Sequence, residues 1–441
     1  MRFSILGALL VTFFACEFKS SVAAEDWPQW LGPTRDGKWN ETGILDSFPA
    51  NGPKVLWRKP INGGYAGPAV VGGRVYVMDY VRAEGDATPN PDKRNELKGQ
   101  ERVICLDAAS GEEIWKYAYD CNYAISYPCG PRCTPTIAGG KVYAVGAEGN
   151  LHCLDAESGK LLWGKELKKD YNCESPIWGF TGHPLVDGDM LFCLVGGKGS
   201  IAVAFDRHTG KEVWRSIDDK DAGYAAPSMI EVGGVKELVY FTPAAVHGLV
   251  PKTGKVLWSV PIDPGYGMSI MMPRQSDNYI FAGATGMKSV LIELDAKGEK
   301  AKEVYRGEKT SSVFPVNSTP IVDGDYMYGV CTRGELRCVE VKTGKRMWET
   351  FAPTTGEKKP INSGTAFLVK NDERYFLFSE KGDLVIAKLT PQKYEEISRA
   401  HLLEPTGDAF GRSVAWSCPA FAQKCVFARN DKEIICVSLA K

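Results

Sequence analysis

A hairpin motif that occurs five times along the chain constrains its fold more than any other feature. In the copy at residues 153–163, an apolar run ends at Asp155, a turn follows at Gly159, and a second apolar run ends at Trp163. The aspartate can accept hydrogen bonds from turn amides, and glycine adopts positive φ without a Cβ clash. The other copies end at Trp115, Trp214, Trp258 and Trp348. Because such repeats share one continuous core, the motif predicts a single repeat domain.

The motif is part of a larger unit that occurs eight times. Each unit opens with a short strand, continues through a turn and a strand of alternating apolar residues, and ends with the hairpin. The openings lie at Pro68, Pro135, Pro184, Pro227, Pro273, Pro320, Thr365 and Pro419. The first unit is longer, and its surplus at residues 81–100 is polar without an apolar period, which predicts an exposed loop. Two units lack the tryptophan, and we expect Val304 and Ile397 at that position.

The two ends of the array complement each other. The last unit stops after its third strand near Leu439, whereas a spare strand at residues 54–60 precedes the first unit. Closing the array through this strand leaves few unpaired strand edges. The sequence therefore predicts an all-β fold, an eight-bladed β-propeller over residues 54–441, with residues 54–60 as the outer strand of the last blade. Residues 25–53 show no strand alternation, so we expect an extension that wraps the outside of the propeller.

The N-terminal segment is typical of an exported protein. A positive residue at Arg2, an apolar run at residues 5–14 and small residues up to Ala24 predict a signal peptide over residues 1–24. A lipoprotein site at Cys16 is the alternative. We therefore expect a monomer in the periplasm or cell envelope, without a transmembrane segment.

Charge and cysteine content exclude some classes of partner and site. The 53 Lys and Arg residues balance 54 Asp and Glu residues, which argues against nucleic acid as a partner. Four cysteines share one position in the repeat and are expected to be buried thiols: Cys105, Cys153, Cys338 and Cys436. Four others lie in irregular segments, where one or two disulfides or, less well supported, a zinc site remain open: Cys121, Cys129, Cys133 and Cys173. The sequence Val-Asp-Gly-Asp at residues 186–189 recurs in the same slot at 322–325, which indicates a hairpin turn and not a calcium loop.

The repeat resembles the pyrroloquinoline-quinone (PQQ)-type propeller repeat. The clearest copies are residues 206–214 and 341–348, and the resemblance covers nearly all of 54–441. It implies that one tryptophan of each hairpin docks between neighbouring blades. In this sequence that role falls on Trp57, Trp115, Trp163, Trp214, Trp258 and Trp348.

Proteins with this repeat fall into two groups with different functions. One group contains quinone-dependent alcohol dehydrogenases, which carry PQQ and calcium. The other contains non-catalytic envelope proteins, such as the outer-membrane assembly lipoprotein of the Bam complex. This chain has no adjacent cysteine pair, no Cys-x-x-Cys-His haem motif and no long insertions between blades, which favours the second group.

Side chains just before the opening prolines are expected to converge on a central funnel. The candidate ligand-binding residues are Tyr65, Arg132, His183, Tyr224, Arg274, Asn317, Asn362, Arg412 and Trp416. Three arginines and several aromatic residues could hold an anionic or planar ligand. The alternative is that they line a wet channel, and His183 is expected to be a hydrogen-bonded structural residue. No catalytic or metal-ligating residue is predicted.

The sequence thus leaves three functional hypotheses in order. The first is a non-catalytic scaffold that binds an envelope protein or polymer, with no cofactor. The second is a PQQ-dependent alcohol or polyol dehydrogenase, which would need PQQ and calcium. The third, suggested only by the funnel aromatics, is a carbohydrate-binding module.

Overall fold

The computed structural model describes residues 25–356 and 359–441. The predicted signal peptide and the alternative lipid site at Cys16 lie outside these residues. Within them the chain forms 35 β-strands, one short α-helix and one 3-10 turn.

The strands of the first half follow one another blade by blade. After β1 (Val55–Pro60), the first blade contains β2 (Ala69–Val71), β3 (Arg74–Glu84), β4 (Asn95–Asp107) and β5 (Glu113–Asp120), and β6 (Tyr123–Ile125) pairs with β4. The second contains β7 (Thr136–Ala138), β8 (Lys141–Val145), β9 (Asn150–Asp155) and β10 (Leu161–Glu166), followed by α1 (Leu167–Tyr171). The third contains β11 (Leu185–Asp187), β12 (Met190–Leu194), β13 (Ala202–Asp206) and β14 (Glu212–Ser216). The fourth contains β15 (Ser228–Val232), β16 (Val235–Phe241), β17 (Ala245–Leu249) and β18 (Val256–Pro261).

The second half repeats this plan. After the 3-10 turn Gly265–Gly267, the fifth blade contains β19 (Arg274–Ser276), β20 (Tyr279–Ala284), β21 (Lys288–Leu294) and β22 (Ala301–Arg306). The sixth contains β23 (Ile321–Asp323), β24 (Tyr326–Val330), β25 (Leu336–Glu340) and β26 (Arg346–Thr350). The seventh contains β27 (Ala366–Asn371), β28 (Arg374–Ser379), β29 (Asp383–Leu389) and β30 (Tyr394–His401), followed by a ribbon of β31 (Gly407–Ala409) and β32 (Arg412–Val414). The eighth contains β33 (Ala420–Ala422), β34 (Cys425–Arg429) and β35 (Glu433–Ser438).

The eighth blade is completed by the first strand of the chain. β1 pairs antiparallel with β35, with Trp57 opposite Cys436 and Pro60 opposite Glu433. The prediction of an eight-bladed β-propeller closed by residues 54–60 is therefore confirmed. The second and third strands of each blade are buried on both faces because neighbouring blades cover them, which explains runs such as Phe376-Leu377-Phe378.

Tryptophans of the outermost strands pack against the turn of the next blade. The indole N–H donates to a turn carbonyl in five cases: Trp57 to Ala108 at 2.9 Å, Trp115 to Ala156 at 3.2 Å, Trp163 to Arg207 at 3.2 Å, Trp214 to Pro251 at 2.8 Å and Trp348 to Thr390 at 2.8 Å. Trp258 differs, because its N–H donates at 2.8 Å to the Glu237 carboxylate of its own blade. Each buried indole thus has the acceptor that it needs.

The two units without tryptophan correct the sequence assignment. In the fifth blade the equivalent residue is Tyr305 and not Val304, since Tyr305 donates its hydroxyl to Val341 O at 3.0 Å. In the seventh blade it is Ser398 and not Ile397, and the Ser398 hydroxyl accepts from the Phe48 N–H at 3.0 Å. Both predicted positions lie one residue too early in the chain. The reason is that every outermost strand contains an extra, unpaired residue directly before the docking residue.

That extra residue is a β-bulge, which recurs in all eight blades. Two residues of the outermost strand oppose one residue of its neighbour, so that the large side chain faces the next blade. The unpaired residue is always aliphatic: Leu56, Ile114, Leu162, Val213, Leu257, Val304, Met347 and Ile397. Val304 and Ile397 are accordingly exposed.

The surplus in the first blade is mostly exposed, as the sequence predicted, but it forms a long hairpin and not a loop. β3 and β4 continue into it, and the start of β4 pairs with β6. Leu97 is buried, and Tyr80 stacks on Tyr123 with ring centroids 4.0 Å apart. The tip of the hairpin extends to the propeller axis, where the Trp178 indole N–H donates to Pro91 O at 3.3 Å.

The first part of the N-terminal extension crosses the central channel. Its second part runs outward over the seventh and eighth blades, where Ile44 bridges to Ala440 and the Phe48 N–H donates to Ser398 of the outermost strand β30. Residues of the extension bridge to innermost strands on different blades, Trp27 to Val70 and Lys38 to Lys370. Between them Arg35 is buried and donates to Pro184 O at 2.9 Å. The extension therefore closes one end of the channel.

All twelve cysteines in the described ranges are free thiols, including the four for which disulfides were left open: Cys121, Cys129, Cys133 and Cys173. Those at the repeat position lie opposite the docking aromatic residue, as Cys105 does opposite Trp115, where a large side chain would collide with the indole. No helix in the described part of the chain is long and apolar enough to cross a membrane.

Candidate functional site on the propeller axis

A cavity of about 610 Å³ lies on the axis, and loops of all eight blades contribute to its lining. Because each innermost strand begins near the axis, the residues that precede these strands meet there. Seven of the nine candidate residues line the cavity: Tyr65, Arg132, His183, Tyr224, Asn317, Asn362 and Trp416. Their binding role remains a prediction.

Arg274 and Arg412 lie outside the lining. Arg274 donates to Arg35 O at 2.7 Å and to Asp36 O at 2.9 Å, so it holds the N-terminal extension. Arg412 forms a bidentate pair with the buried Glu380, at 2.8 and 3.1 Å. Glu380 also accepts from the Trp416 indole at 3.0 Å, so this pair orients a side chain of the cavity wall.

Arg132 lines the cavity, but its donors point at backbone carbonyls. It donates to Trp178 O at 2.9 Å, to Ser126 O at 2.9 Å, to Tyr127 O at 2.6 Å and also to Gly130 O. Its guanidinium lies 5.2 Å from the centroid of the Tyr65 ring. Arg132 therefore organises the loops around the cavity, and its charge is largely balanced by carbonyl dipoles.

His183 and Trp30 form the floor. The rings stack with centroids 4.5 Å apart and planes 9° from parallel. His183 Nδ1 accepts the Thr134 N–H at 2.9 Å, which places the ring proton of the neutral form on Nε2. Burial lowers the pKa of His183 well below its usual range, and the Arg35 charge lowers it further. The imidazole is therefore neutral at neutral pH, as expected for a structural histidine.

Most of the aromatic wall was missed by sequence reasoning. Trp178 lies 5.4 Å from Tyr224, and Tyr127 lies 6.5 Å from Phe410 between ring centroids. The other missed aromatic residues of the lining are Trp30, Tyr266 and Phe367. Tyr266 and Phe410 each precede a glycine in a turn, and an aromatic residue at such a place is the one signal that could have found them.

The lining does not fit PQQ with calcium. PQQ carries three carboxylates and needs cationic partners, whereas the one arginine of the lining, Arg132, is bonded to carbonyls. Calcium needs six to eight oxygen ligands, including carboxylates. Asp92 is the single carboxylate among the lining residues, and the described part of the chain holds no cluster of His, Cys, Asp or Glu suited to a metal.

A family model described as outer membrane protein assembly factor BamB matches residues 41–148 and 99–350, which together span more than half of the chain. The chain belongs to this family. The matches begin within the extension and end with the sixth blade, so the BamB model covers most of the ring.

Two kinds of curated relative are similar to this member of the BamB family. The outer membrane protein assembly factor BamB of Shewanella oneidensis is 22% identical over 267 residues, which cover 57% of this chain and 65% of the relative. BamB of Yersinia pestis is 19% identical over 263 residues, which cover 57% and 64%. The chain thus spans less than two thirds of their length. Quinohemoprotein alcohol dehydrogenase ADH IIB of Pseudomonas putida is 32% identical over 121 residues, 26% of this chain and 17% of the dehydrogenase.

Solved structures show the same fold. The crystal structure of BamB from Moraxella catarrhalis matches with a TM-score of 0.52 at 15% identity, covering 81% of this chain and 99% of that chain. A europium-containing methanol dehydrogenase matches with a TM-score of 0.60 at 14% identity, covering 94% and 89%. At such identities the likeness shows the propeller fold and no activity.

Proposed function

We propose that the protein is an exported, non-catalytic propeller that binds a protein or polymer in the cell envelope through its axial cavity and the surrounding loops. Membership of the BamB family supports this function, because the relatives are named as outer membrane assembly factors. An envelope protein is therefore the first partner to test.

The observation that carries the proposal is the chemistry of the axial lining. Its arginine is bonded to carbonyls, and its histidine is neutral and hydrogen-bonded to a backbone amide. Binding through aromatic faces needs neither a charged group nor a cofactor. The dehydrogenase relative aligns with only 26% of this chain, which gives weak support to the alternative.

The test is affinity capture from an envelope extract. Wild-type protein and the variant Tyr266→Ala, which changes an exposed aromatic residue of the lining, would be used as bait beside Val213→Ala, an exposed change on an outer strand. We expect a partner that is retained by wild type and Val213→Ala and lost with Tyr266→Ala.

The same preparation is incubated with PQQ and calcium, and then with an alcohol panel and an artificial electron acceptor. We expect no stoichiometric quinone binding and no reduction of the acceptor. Stoichiometric binding with acceptor reduction would replace the proposal by the dehydrogenase function.

A further inference from the structure

We propose that the axial cavity binds a neutral oligosaccharide chain. The inference deepens the proposed function, on which it rests for binding without catalysis. It is carried by the combination of an uncharged lining, exposed aromatic faces on left-handed backbone, and polar side chains that have no partner within the described chain.

The lining is nearly free of available charge. Its ionic or basic side chains are Asp92, Arg132 and His183. Arg132 is bonded to carbonyls and His183 is neutral, which leaves the exposed Asp92 carboxylate. An anionic ligand would therefore find no free cation among the lining side chains, and a neutral ligand is favoured.

Two aromatic residues at the cavity combine an unfavourable backbone conformation with a solvent-exposed ring. Tyr266 is 89% exposed with φ 59°, and Phe410 is 49% exposed with φ 53°. Bulky residues rarely adopt the left-handed region, and an exposed aromatic face loses its hydrophobic stabilisation. Phe410 sits at the tip of the ribbon β31–β32, which has no counterpart in the four-stranded plan of the blades. Both rings are therefore accessible to a ligand, with the Arg412 guanidinium 5.8 Å from the centroid of the Phe410 ring.

Sugar rings match such faces. One side of a pyranose carries apolar C–H groups that can stack on the negative face of an aromatic ring, while its hydroxyls point sideways. The lining supplies polar groups for these hydroxyls: the Asn362 amide, the Thr285 hydroxyl and the Asp92 carboxylate have no hydrogen-bond partner within the described ranges. Asn317 donates to the Thr365 hydroxyl at 3.0 Å, which leaves its amide oxygen as an acceptor.

A neighbouring cavity leaves room for a ligand longer than a single sugar. A second cavity of about 480 Å³ shares Tyr224 and Tyr266 with the first. Four glycines line it (Gly196, Gly197, Gly223 and Gly267), so a ligand can approach the backbone closely. Its lining also includes two basic and two acidic residues, Arg94, Lys220, Glu174 and Asp221, so the uncharged lining is a property of the axial cavity alone. Together the two cavities far exceed the volume of one sugar ring.

The experiment is calorimetric titration of the purified full chain with neutral hexasaccharides of glucose (β-1,4 and α-1,4), xylose and N-acetylglucosamine up to millimolar concentration. We expect saturable one-to-one binding for at least one of them, accompanied by a change in tryptophan fluorescence. Tyr266→Ala and Phe410→Ala should each weaken it at least tenfold, and Asn362→Ala should weaken it several-fold. Val213→Ala, which changes an exposed residue of β14, should bind like wild type.

Three outcomes would overturn the inference. They are no saturable binding of any hexasaccharide, sugar binding that the cavity variants leave unchanged, and binding of a neutral Gly-Ser-Tyr peptide in place of the sugars. Capture of an envelope partner in the presence of these results would leave the proposed function standing. Stoichiometric PQQ binding with acceptor reduction would overturn both.

Discussion

Arg35 and Arg274 are buried arginines whose guanidinium groups donate to backbone carbonyls and not to a carboxylate. Burial lowers the pKa of each to about 10, so both stay charged at neutral pH. Arg274 holds the backbone at residues 35–36, and Arg35 in turn holds the backbone at residues 183–184. A relay of two arginines thus fixes the extension in the channel.

Arg274→Met should destabilise the protein by about 2 kcal/mol, because the buried Arg35 carbonyl and the partly buried Asp36 carbonyl would lose their donors. The measurement is the free energy of unfolding in urea, followed by tryptophan fluorescence. The matched control is Lys98→Met, which removes an exposed ion pair with Glu84 and should cost less than about 0.5 kcal/mol. Equal losses in the free energy of unfolding for the two variants would contradict the role of Arg274 in fixing the extension.

His183 makes stability sensitive to acid. Its pKa is lowered in the folded protein, so below about pH 6.5 the unfolded chain takes up a proton that the folded protein does not. Stability is therefore lost as the pH falls. His183→Gln can retain an acceptor for the Thr134 N–H without titrating.

We expect the stability advantage of wild type over His183→Gln to shrink between pH 7 and pH 5, by at most about 1.4 kcal/mol per pH unit. Urea unfolding at several pH values measures it, and the difference between the two proteins cancels contributions from other histidines. A difference that is constant over this range would show that His183 binds protons equally in the folded and unfolded states, which contradicts a lowered pKa.

Residue identities predicted some of these features and not others. The position of the cysteines in the repeat predicted buried thiols, since a small residue must face each indole. Where the docking residue is smaller than tryptophan, its neighbour is larger: Leu291 faces Tyr305, and Ile386 faces Ser398. The roles of Arg274 and Arg412 could not be predicted, because their partners come from segments far away in the sequence.

The β-bulge is the recurring element that brings each docking residue into place. Side chains of a strand alternate between its two faces, so one extra residue decides which face the tryptophan occupies. The sequence motif contains this residue in every unit, but period-two alternation cannot distinguish it from a paired one. This is why Val304 and Ile397 were assigned to the wrong role.

Deletion of Ile114 should therefore be far more damaging than its replacement. Without the bulge residue Trp115 would turn away from the second blade, and we expect a loss of at least about 3 kcal/mol, as for removal of a buried tryptophan. Ile114→Ser changes a side chain that is 44% exposed and should cost less than about 1 kcal/mol. Urea unfolding of both variants tests this, and comparable losses would show that the bulge is dispensable.

At the scale of the whole molecule, the ring could be predicted because it depends on a count of repeats and on a missing strand. The path of the extension could not, since residues 25–53 carry no periodicity that distinguishes the channel from the outer surface. The aromatic wall of the axial cavity could not be predicted either, because it is assembled from loops between blades. Regular elements were thus predictable and the loops that form the candidate site were not.

Removal of residues 25–60 should abolish cooperative folding. The eighth blade would lose its outermost strand, and the apolar strand β35 would become an unprotected sheet edge. We expect aggregation, measured by size-exclusion chromatography and thermal unfolding, whereas a chain that begins at residue 25 should remain a monomer. A monomeric, cooperatively unfolding chain that lacks residues 25–60 would contradict the role of β1.

The pairing of β1 with β35 also sets an order of events during synthesis. The segment that contains Trp57 leaves the ribosome long before the segment with which it pairs, because Trp57 lies opposite Cys436. Until then the buried tryptophans of the extension, Trp27 and Trp39, lack the aromatic neighbour Phe421 that each contacts in the finished ring. Every nascent chain therefore completes the packing of its N-terminal tryptophans only after the eighth blade has been synthesised.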